Sequence, residues 1–174
     1  MNAYEILEQV KTGAMSVEEA GQLLDMGNYE ELGYAKLDTS RKERTGFAEV
    51  VFCSGKADKH LLSIFQRLYE KEGEVFGTRA SQEQYELIKS KFSEVSFDPI
   101  SHILKIEKKG KKQIGNIAVC TAGTADIPVA EEAAQTAEFF GTYVERIYDV
   151  GVSGIHRLLS RLDVIQKANC VVAV

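Results

Sequence analysis

NIAVCTAGTADIPVAEEAAQTAEFFGTYVERIYDV, residues 116–150, decides the fold. Asn116–Cys120 (NIAVC) is a near-continuous apolar run, the pattern of a strand covered on both faces. After a short polar loop, Pro128 suits the first turn of a helix, where its missing N–H would have had no partner. Ala130–Phe140 is the alanine-rich body of that helix, Gly141 closes it, and Tyr143–Tyr148 returns to strand character. Beyond it, Ser153–Ala168 reads as a second helix and Cys170–Val174 (CVVAV) as a third strand. Strand, helix, strand, helix, strand with short loops predicts a parallel sheet with right-handed crossovers and the first strand in the centre.

Working outward toward the N-terminus, Ala3–Lys11 carries Ile6, Leu7 and Val10 at helical spacing and stops at Gly13. Ser16 with Glu19 forms a capping box that opens a helix through about Asp25. Leu37–Gly46 is polar and aperiodic, and Glu49–Cys53 reads as a strand. Asp58 is the expected cap of a helix burying Leu61, Leu62, Phe65, Leu68 and Tyr69. Val75–Thr78 reads as a strand, Ser81 with Gln84 caps a further helix, and strands are expected at Val95–Phe97 and His102–Ile106 around the Asp98-Pro99 turn. Gly110, inside the lysine run Lys108–Lys112, marks a boundary. The expected fold class is therefore α/β. A helical hairpin and small α/β (α+β) domain at 1–112 precede the first part, β-α-β-α-β, of a flavodoxin-like parallel three-layer sheet domain at 113–174. The last strand runs to Val174 with no helix after it to cover the sheet, which we read as a C-terminal truncation.

The 174 residues carry a formal net charge of -5, with acidic residues in excess on both sides of Lys112. Nucleic-acid backbones demand clustered positive charge, found here only at Lys108–Lys112, and that run reads as a solvated turn. Cys53, Cys120 and Cys170 stand in apolar surroundings with no Cys-x-x-Cys and no zinc spacing; they read as buried free thiols, in keeping with a reducing cytoplasm. No signal pattern opens the chain, and no apolar run approaches the ~20 residues of a membrane span. The protein is expected in the cytoplasm, with neither nucleic acid nor membrane as partner.

Two loops carry chemistry, both at expected carboxyl ends of parallel strands, where open α/β sheets bind ligands. In the first, Thr121-Ala122-Gly123-Thr124-Ala125-Asp126, the glycine lets backbone approach an anion and Thr121 and Thr124 add hydroxyls; alternatively Gly123 turns the chain and Asp126 caps the helix. The second runs from Asp149 to Arg157 with Gly151, Ser153, Gly154 and His156 between them. Arg157 can pair bidentately with phosphate, Ser153 can cap a helix or bind phosphate, and His156 can exchange a proton near neutral pH. His60 and His102 have no ligand or nucleophile partner at a useful spacing. The pairs Glu18–Glu19 and Glu131–Glu132 fit a solvated helix face rather than an acid/base dyad. Neither a P-loop nor G-x-G-x-x-G occurs, which argues against P-loop nucleotide hydrolases and Rossmann dehydrogenases.

AVCTAGTAD at 118–126 and RIYDVGVSGIHRLL at 146–159 resemble the aminoimidazole ribonucleotide carboxylase superfamily, whose loops read G-S-x-S-D and S-A-H-R. In its variant form, with T-A-G-T-A-D-I-P-V-A-E-E-A, D-V-G-V-S-G-I-H-R and the R-x-x-R-T-G-F-A-E-V segment at 41–50, the chain resembles the pyridinium-3,5-biscarboxylic acid mononucleotide synthase family, which serves synthesis of the nickel-pincer cofactor of lactate racemase. The resemblance spans nearly the whole chain. It lacks the family's later A-G-M-E-G-A-L-P and P-T-S-V-G-Y-G loops and the cysteine of N-S-C, so none of Cys53, Cys120 and Cys170 takes that cysteine's covalent role.

The resemblance implies carboxylation of the pyridinium ring of nicotinate adenine dinucleotide with cleavage of its phosphoanhydride to release AMP. Carbon dioxide or bicarbonate would be co-substrate, magnesium a candidate ion, no cofactor tightly bound and no metal resident. The full-length enzyme is expected to be a homo-oligomer and this chain an inactive fragment. Substrate contacts fall to Thr121, Gly123, Thr124, Asp126, Asp149, Gly151, Ser153, His156 and Arg157, with Asp126 and His156 the candidates for catalysis. The rival readings are a carboxyaminoimidazole ribonucleotide mutase or carboxylase of purine biosynthesis and, in other classes, a flavodoxin-like FMN carrier or a non-catalytic nucleotide-binding module.

Overall fold

A computed structural model describes residues 3–26 and 29–174, the side chains of Asp25, Met26 and Arg44 excepted. The chain divides into two compact units, Met1–Glu49 and Val50–Val174.

The first unit opens with α1 (Ala3–Lys11) and α2 (Val17–Met26). The capping box between them forms as expected: Glu19 N–H donates to Ser16 Oγ at 3.1 Å and Ser16 N–H to Glu19 Oε2 at 3.0 Å. Leu37–Gly46 departs from the irregular expectation. Strand β1 (Glu30–Glu31) pairs antiparallel with β2 (Lys36–Leu37), and α3 (Arg41–Thr45) follows. Leu37 is buried together with Ser40, and Gly46, in the left-handed conformation, donates its N–H to Lys42 O to close the helix. A single turn this short leaves no hydrophobic periodicity to read.

The second unit begins with β3 (Val50–Phe52), α4 (Asp58–Glu72), β4 (Val75–Thr78), α5 (Gln82–Lys89), β5 (Ser96–Asp98) and β6 (Ile103–Ile106). The cap of α4 is Ala57 rather than Asp58, which lies inside the first turn and suits the helix dipole there. Ser81 and Gln84 form the expected capping box on α5. His102 stands just outside its strand at φ 57°, its Nδ1 3.1 Å from Ala80 O. The four strands run in the order β3-β4-β6-β5, the first pair parallel and the others antiparallel. Val51, Gly77 and Leu104 lie side by side in this sheet. A methyl at Gly77 would stand 2.7 Å from Cys53 Sγ and 3.0 Å from Phe65 Cζ, so the glycine lets the thiol and ring pack on the sheet.

The remainder is the expected α/β sandwich: β7 (Asn116–Cys120), α6 (Ile127–Phe139), β8 (Tyr143–Ile147), α7 (Ile155–Leu159), α8 (Leu162–Ile165) and β9 (Cys170–Ala173). The strands are all parallel in the order β8-β7-β9, with the first in the centre. Alternation along β7 sorts the layers. Val119 packs with Ala130, Ala134 and Val144, toward α6, while Ala118 and Cys120 pack with Ile147 and Val150 against Leu158, Val164 and Ile165. The single helix expected over Ser153–Ala168 is instead a short 3-10 turn (Val152–Gly154) and two brief helices. They part where the Ser160 hydroxyl donates to Arg157 O at 2.7 Å and Arg161 leaves helical geometry at φ -113°, ψ 8°. Cys53 and Cys120 are buried as expected; Cys170 is exposed, on β9, whose residues are largely open.

The two sheets of this unit are joined through α6. Phe76 and Ile103 cluster with Phe139, the rings of Phe76 and Phe139 4.7 Å apart. Gln135 Nε2 donates to Asp98 Oδ2 at 2.6 Å, and Arg79 pairs with Glu132 at 3.0 Å. Lys111 is no solvated member of its lysine run: it pairs with Glu74 at 2.7 Å and sits 3.6 Å above the Phe139 ring. Nor are Glu131 and Glu132 a solvated face. Glu131 Oε1 accepts from Arg146 Nε at 2.9 Å and from the Tyr148 hydroxyl at 2.7 Å.

Candidate functional site

Parallel pairing of β7 with β8 sends the loops after both strands to one edge of the sheet. There they are tied together rung by rung: Thr121 N–H donates to Ile147 O at 3.1 Å, Val150 N–H to Thr121 O at 2.9 Å and Gly151 N–H to Ala122 O at 2.9 Å. The third strand joins them, Ala122 N–H donating to Val174 O at 3.0 Å.

Gly151 is demanded by this closeness, since a Cβ there would lie 2.5 Å from Ala122 O, a backbone atom that cannot swing away. Gly123 is different. Its backbone is extended, and a Cβ would meet nothing nearer than Asp126 Oδ2 at 3.7 Å. The fold therefore has room for a side chain at 123.

Thr121 is 1% exposed and its hydroxyl accepts the Asp149 N–H at 3.0 Å, so this side chain serves the protein rather than the solvent-facing edge. Asp149 holds φ 58°, one of three non-glycine residues in the left-handed region among the described residues. Its Oδ2 is ion-paired to Arg157 Nη1. Asp126 Oδ2 accepts the Gly123 N–H at 3.0 Å, bracing the 3-10 turn Thr124–Asp126 that leads into α6. Ser153 caps no helix: Gly154 stands at the N-cap of α7, and no side chain caps there. Thr124, Ser153 and His156 are exposed.

The structure thus joins Thr121, Asp149 and Arg157 in one chain of contacts, and Gly123 with Asp126 in another. No hydrogen bond or ion pair among the described residues links the two directly. The sequence places Gly154 in this loop but gives it no role; the Arg157 side chain lies over it, and a Cβ at 154 would meet Arg157 Nε at 2.7 Å. Asp126 is engaged by Gly123 and Asp149 by Arg157, each through one carboxylate oxygen. Among the described residues no group of three or more His, Cys, Asp and Glu side chains is placed to hold a metal ion. No described helix is long and apolar enough to cross a membrane.

Comparison with known proteins adds two findings. Residues 29–110 match a family described as the LarB/PurE-like N-terminal domain. The chain is also similar to an uncharacterized protein of Methanocaldococcus jannaschii, 34% identical over 186 aligned residues that cover 99% of this chain and 71% of that protein. The family match falls on the segment before β7, whereas the similarity to the relative runs through both loops.

Proposed function

This chain belongs to the LarB/PurE-like family, whose members are of carboxylase and mutase type, and from that premise we propose that it serves carboxylation of the pyridinium ring of nicotinate adenine dinucleotide by holding the dinucleotide, without turning it over by itself. Cleavage of the phosphoanhydride by water then gives AMP and pyridinium-3,5-biscarboxylic acid mononucleotide, a precursor of the nickel-pincer cofactor. The observation that carries this reading is Arg157, held at the carboxyl edge of the parallel sheet beside a loop whose Gly123 has space the fold itself does not fill.

In this role the Arg157 guanidinium takes a phosphate of the dinucleotide, and the extended backbone at Gly123 lets a second anionic oxygen approach the loop. The exposed hydroxyls of Thr124 and Ser153 and the His156 imidazole make polar contacts to ribose or ring carboxylate. Asp126, while it braces Gly123, faces its remaining oxygen to the ligand. The reaction requires the ring first to gain electrons, as when a thiolate adds to the pyridinium, the resulting enamine carbon attacks carbon dioxide, and proton loss with thiolate expulsion restores aromaticity; we assign that thiolate to none of Cys53, Cys120 and Cys170 and give this chain the holding of the dinucleotide. Cys53 and Cys120 are unsuited to that step, since burial raises both thiols, Cys53 to about 12.

Calorimetric titration with nicotinate adenine dinucleotide and, separately, with aminoimidazole ribonucleotide tests the reading, and an assay for AMP in the presence of bicarbonate is expected to show no turnover by this chain. Preference for the dinucleotide is expected. Preference for aminoimidazole ribonucleotide would move the protein to the purine carboxylases. Exchange of Arg157 for Ala is expected to weaken dinucleotide binding by about 1 to 3 kcal/mol, the worth of a charged hydrogen bond.

A further inference from the structure

Three features converge on the Arg157 side chain. Its Nη1 is ion-paired to Asp149 Oδ2. Asp149 is itself held in a conformation that L-residues rarely adopt, φ 58°, with its N–H donated to the buried Thr121 hydroxyl at 3.0 Å. On the other side the guanidinium end lies on Gly154, where a Cβ would stand 2.7 Å from Nε, 3.2 Å from Nη2 and 3.3 Å from Cζ. Gly154 has φ -128° and ψ 62°, so its backbone is not in the left-handed region and does not call for glycine. A side chain at 154 would instead push aside the arginine lying across it. Arg157 is about one-third exposed, 37%, and so remains open on its outer side.

We propose that Gly154 and the Thr121–Asp149 pair are positioning residues that hold the Arg157 guanidinium in one orientation for anion capture. Asp149 fixes one edge of the planar guanidinium and Gly154 supplies the floor. An arginine fixed before the ligand arrives surrenders less side-chain freedom on binding than a free one. Asp149 and Thr121, which the sequence suggests as substrate contacts, are on this view occupied in orienting Arg157. The inference rests on the proposed function only for the identity of the anion.

The test has two arms. In ligand-free protein labelled with nitrogen-15 arginine, the Nε–H resonance of Arg157, assigned by its loss in Arg157→Ala, should exchange slowly and show a cross-peak to the Gly154 α-protons. Gly154→Ala, which the backbone accommodates, should return that resonance to the fast exchange of exposed arginines. Thr121→Val should do the same, and Thr121→Ser, which keeps the hydroxyl, should restore it. In the second arm, titration with nicotinate adenine dinucleotide should give a dissociation constant raised roughly tenfold in Gly154→Ala, close to that of Arg157→Ala, with the double variant no weaker than Arg157→Ala alone. An Nε–H signal indifferent to Gly154→Ala and Thr121→Val overturns the proposal, as does a Gly154→Ala penalty that persists undiminished in the Arg157→Ala background. If the wild-type chain binds no dinucleotide while the resonance behaves as described, the proposed function fails and the positioning of Arg157 stands.

Discussion

Gly151 and Ala122, on loops that leave neighbouring parallel strands, approach so closely that a single methyl at 151 would lie 2.5 Å from the Ala122 carbonyl oxygen. The hydrogen bond from Gly151 N–H to that same oxygen, 2.9 Å, depends on the approach. Gly151→Ala is therefore expected to part the loops and cost about 1 to 3 kcal/mol of stability, through overpacking and the lost bond. Gly123→Ala is the contrasting case. Its backbone is extended and uncrowded, so urea unfolding should move by no more than about 0.5 kcal/mol. Weaker dinucleotide binding should nevertheless follow, if the space at 123 is kept for ligand. A Gly123→Ala variant that binds as tightly as wild type would leave Gly123 with no part in binding.

Glu131 gives the fold an acid-sensitive joint. Burial pushes its carboxyl upward, but hydrogen bonds from Arg146 and Tyr148 and the charge of Arg146 outweigh it, and the net shift is downward. A carboxylate depressed in the folded state stabilises fully above its ordinary pKa, and that contribution fades as pH falls through the depressed value. Glu131→Gln, which weakens the pairing with half-buried Arg146, is expected to cost about 1 to 3 kcal/mol near pH 7. The gap between variant and wild type should narrow as pH drops below about 4. Urea midpoints measured from pH 3 to 7 decide this, and a gap constant with pH would mean that the charge of Glu131 contributes nothing.

Those carboxylates also mark the limit of what the sequence discloses. Asn116–Cys120 and Val75–Thr78 are legible because buried strands are apolar runs, and the two capping boxes because Ser16 with Glu19 and Ser81 with Gln84 are local pairs. The partners of Glu131 and Glu132 are not local. Arg146 reaches Glu131 only after the chain has crossed from helix to strand, and Arg79 comes from the other sheet. At the candidate site, loop composition reveals which residues gather at the sheet edge. It does not reveal that Thr121 faces inward, or that the side chain of Arg157 lies over Gly154 three residues before it. Those facts depend on rotamers and on backbone angles that no spacing rule carries.

Gly77 offers a packing test away from the loops. An added methyl would meet Cys53 Sγ at 2.7 Å and Leu104 O at 3.2 Å in a part of the core with no exposure. Gly77→Ala is expected to destabilise by about 1 to 3 kcal/mol. Pairing it with Cys53→Ala removes the sulfur and should relieve part of that cost, so the two effects measured together should fall short of their sum. Strict additivity in urea unfolding would show that the sulfur is not the obstacle.

The three cysteines should separate by reactivity, because alkylation proceeds through the thiolate and requires access to it. Cys170 is exposed on the edge strand β9. Cys53 is buried and its thiol is driven up to about 12 by burial, with Lys56 pulling weakly the other way; burial likewise raises Cys120. For a thiol the raised pKa means that the fold disfavours the thiolate, so stability from this source holds at neutral pH and declines as pH rises past the ordinary thiol value of about 8.5. Iodoacetamide at pH 8 should therefore label Cys170 alone in folded protein and all three in urea, as read by peptide mass spectrometry. Labelling of Cys120 at a rate like that of Cys170 under native conditions would show that the face of β7 packed against α7 and α8 opens to solvent, and would contradict the packing of Ala118, Cys120, Ile147 and Val150 as a closed core.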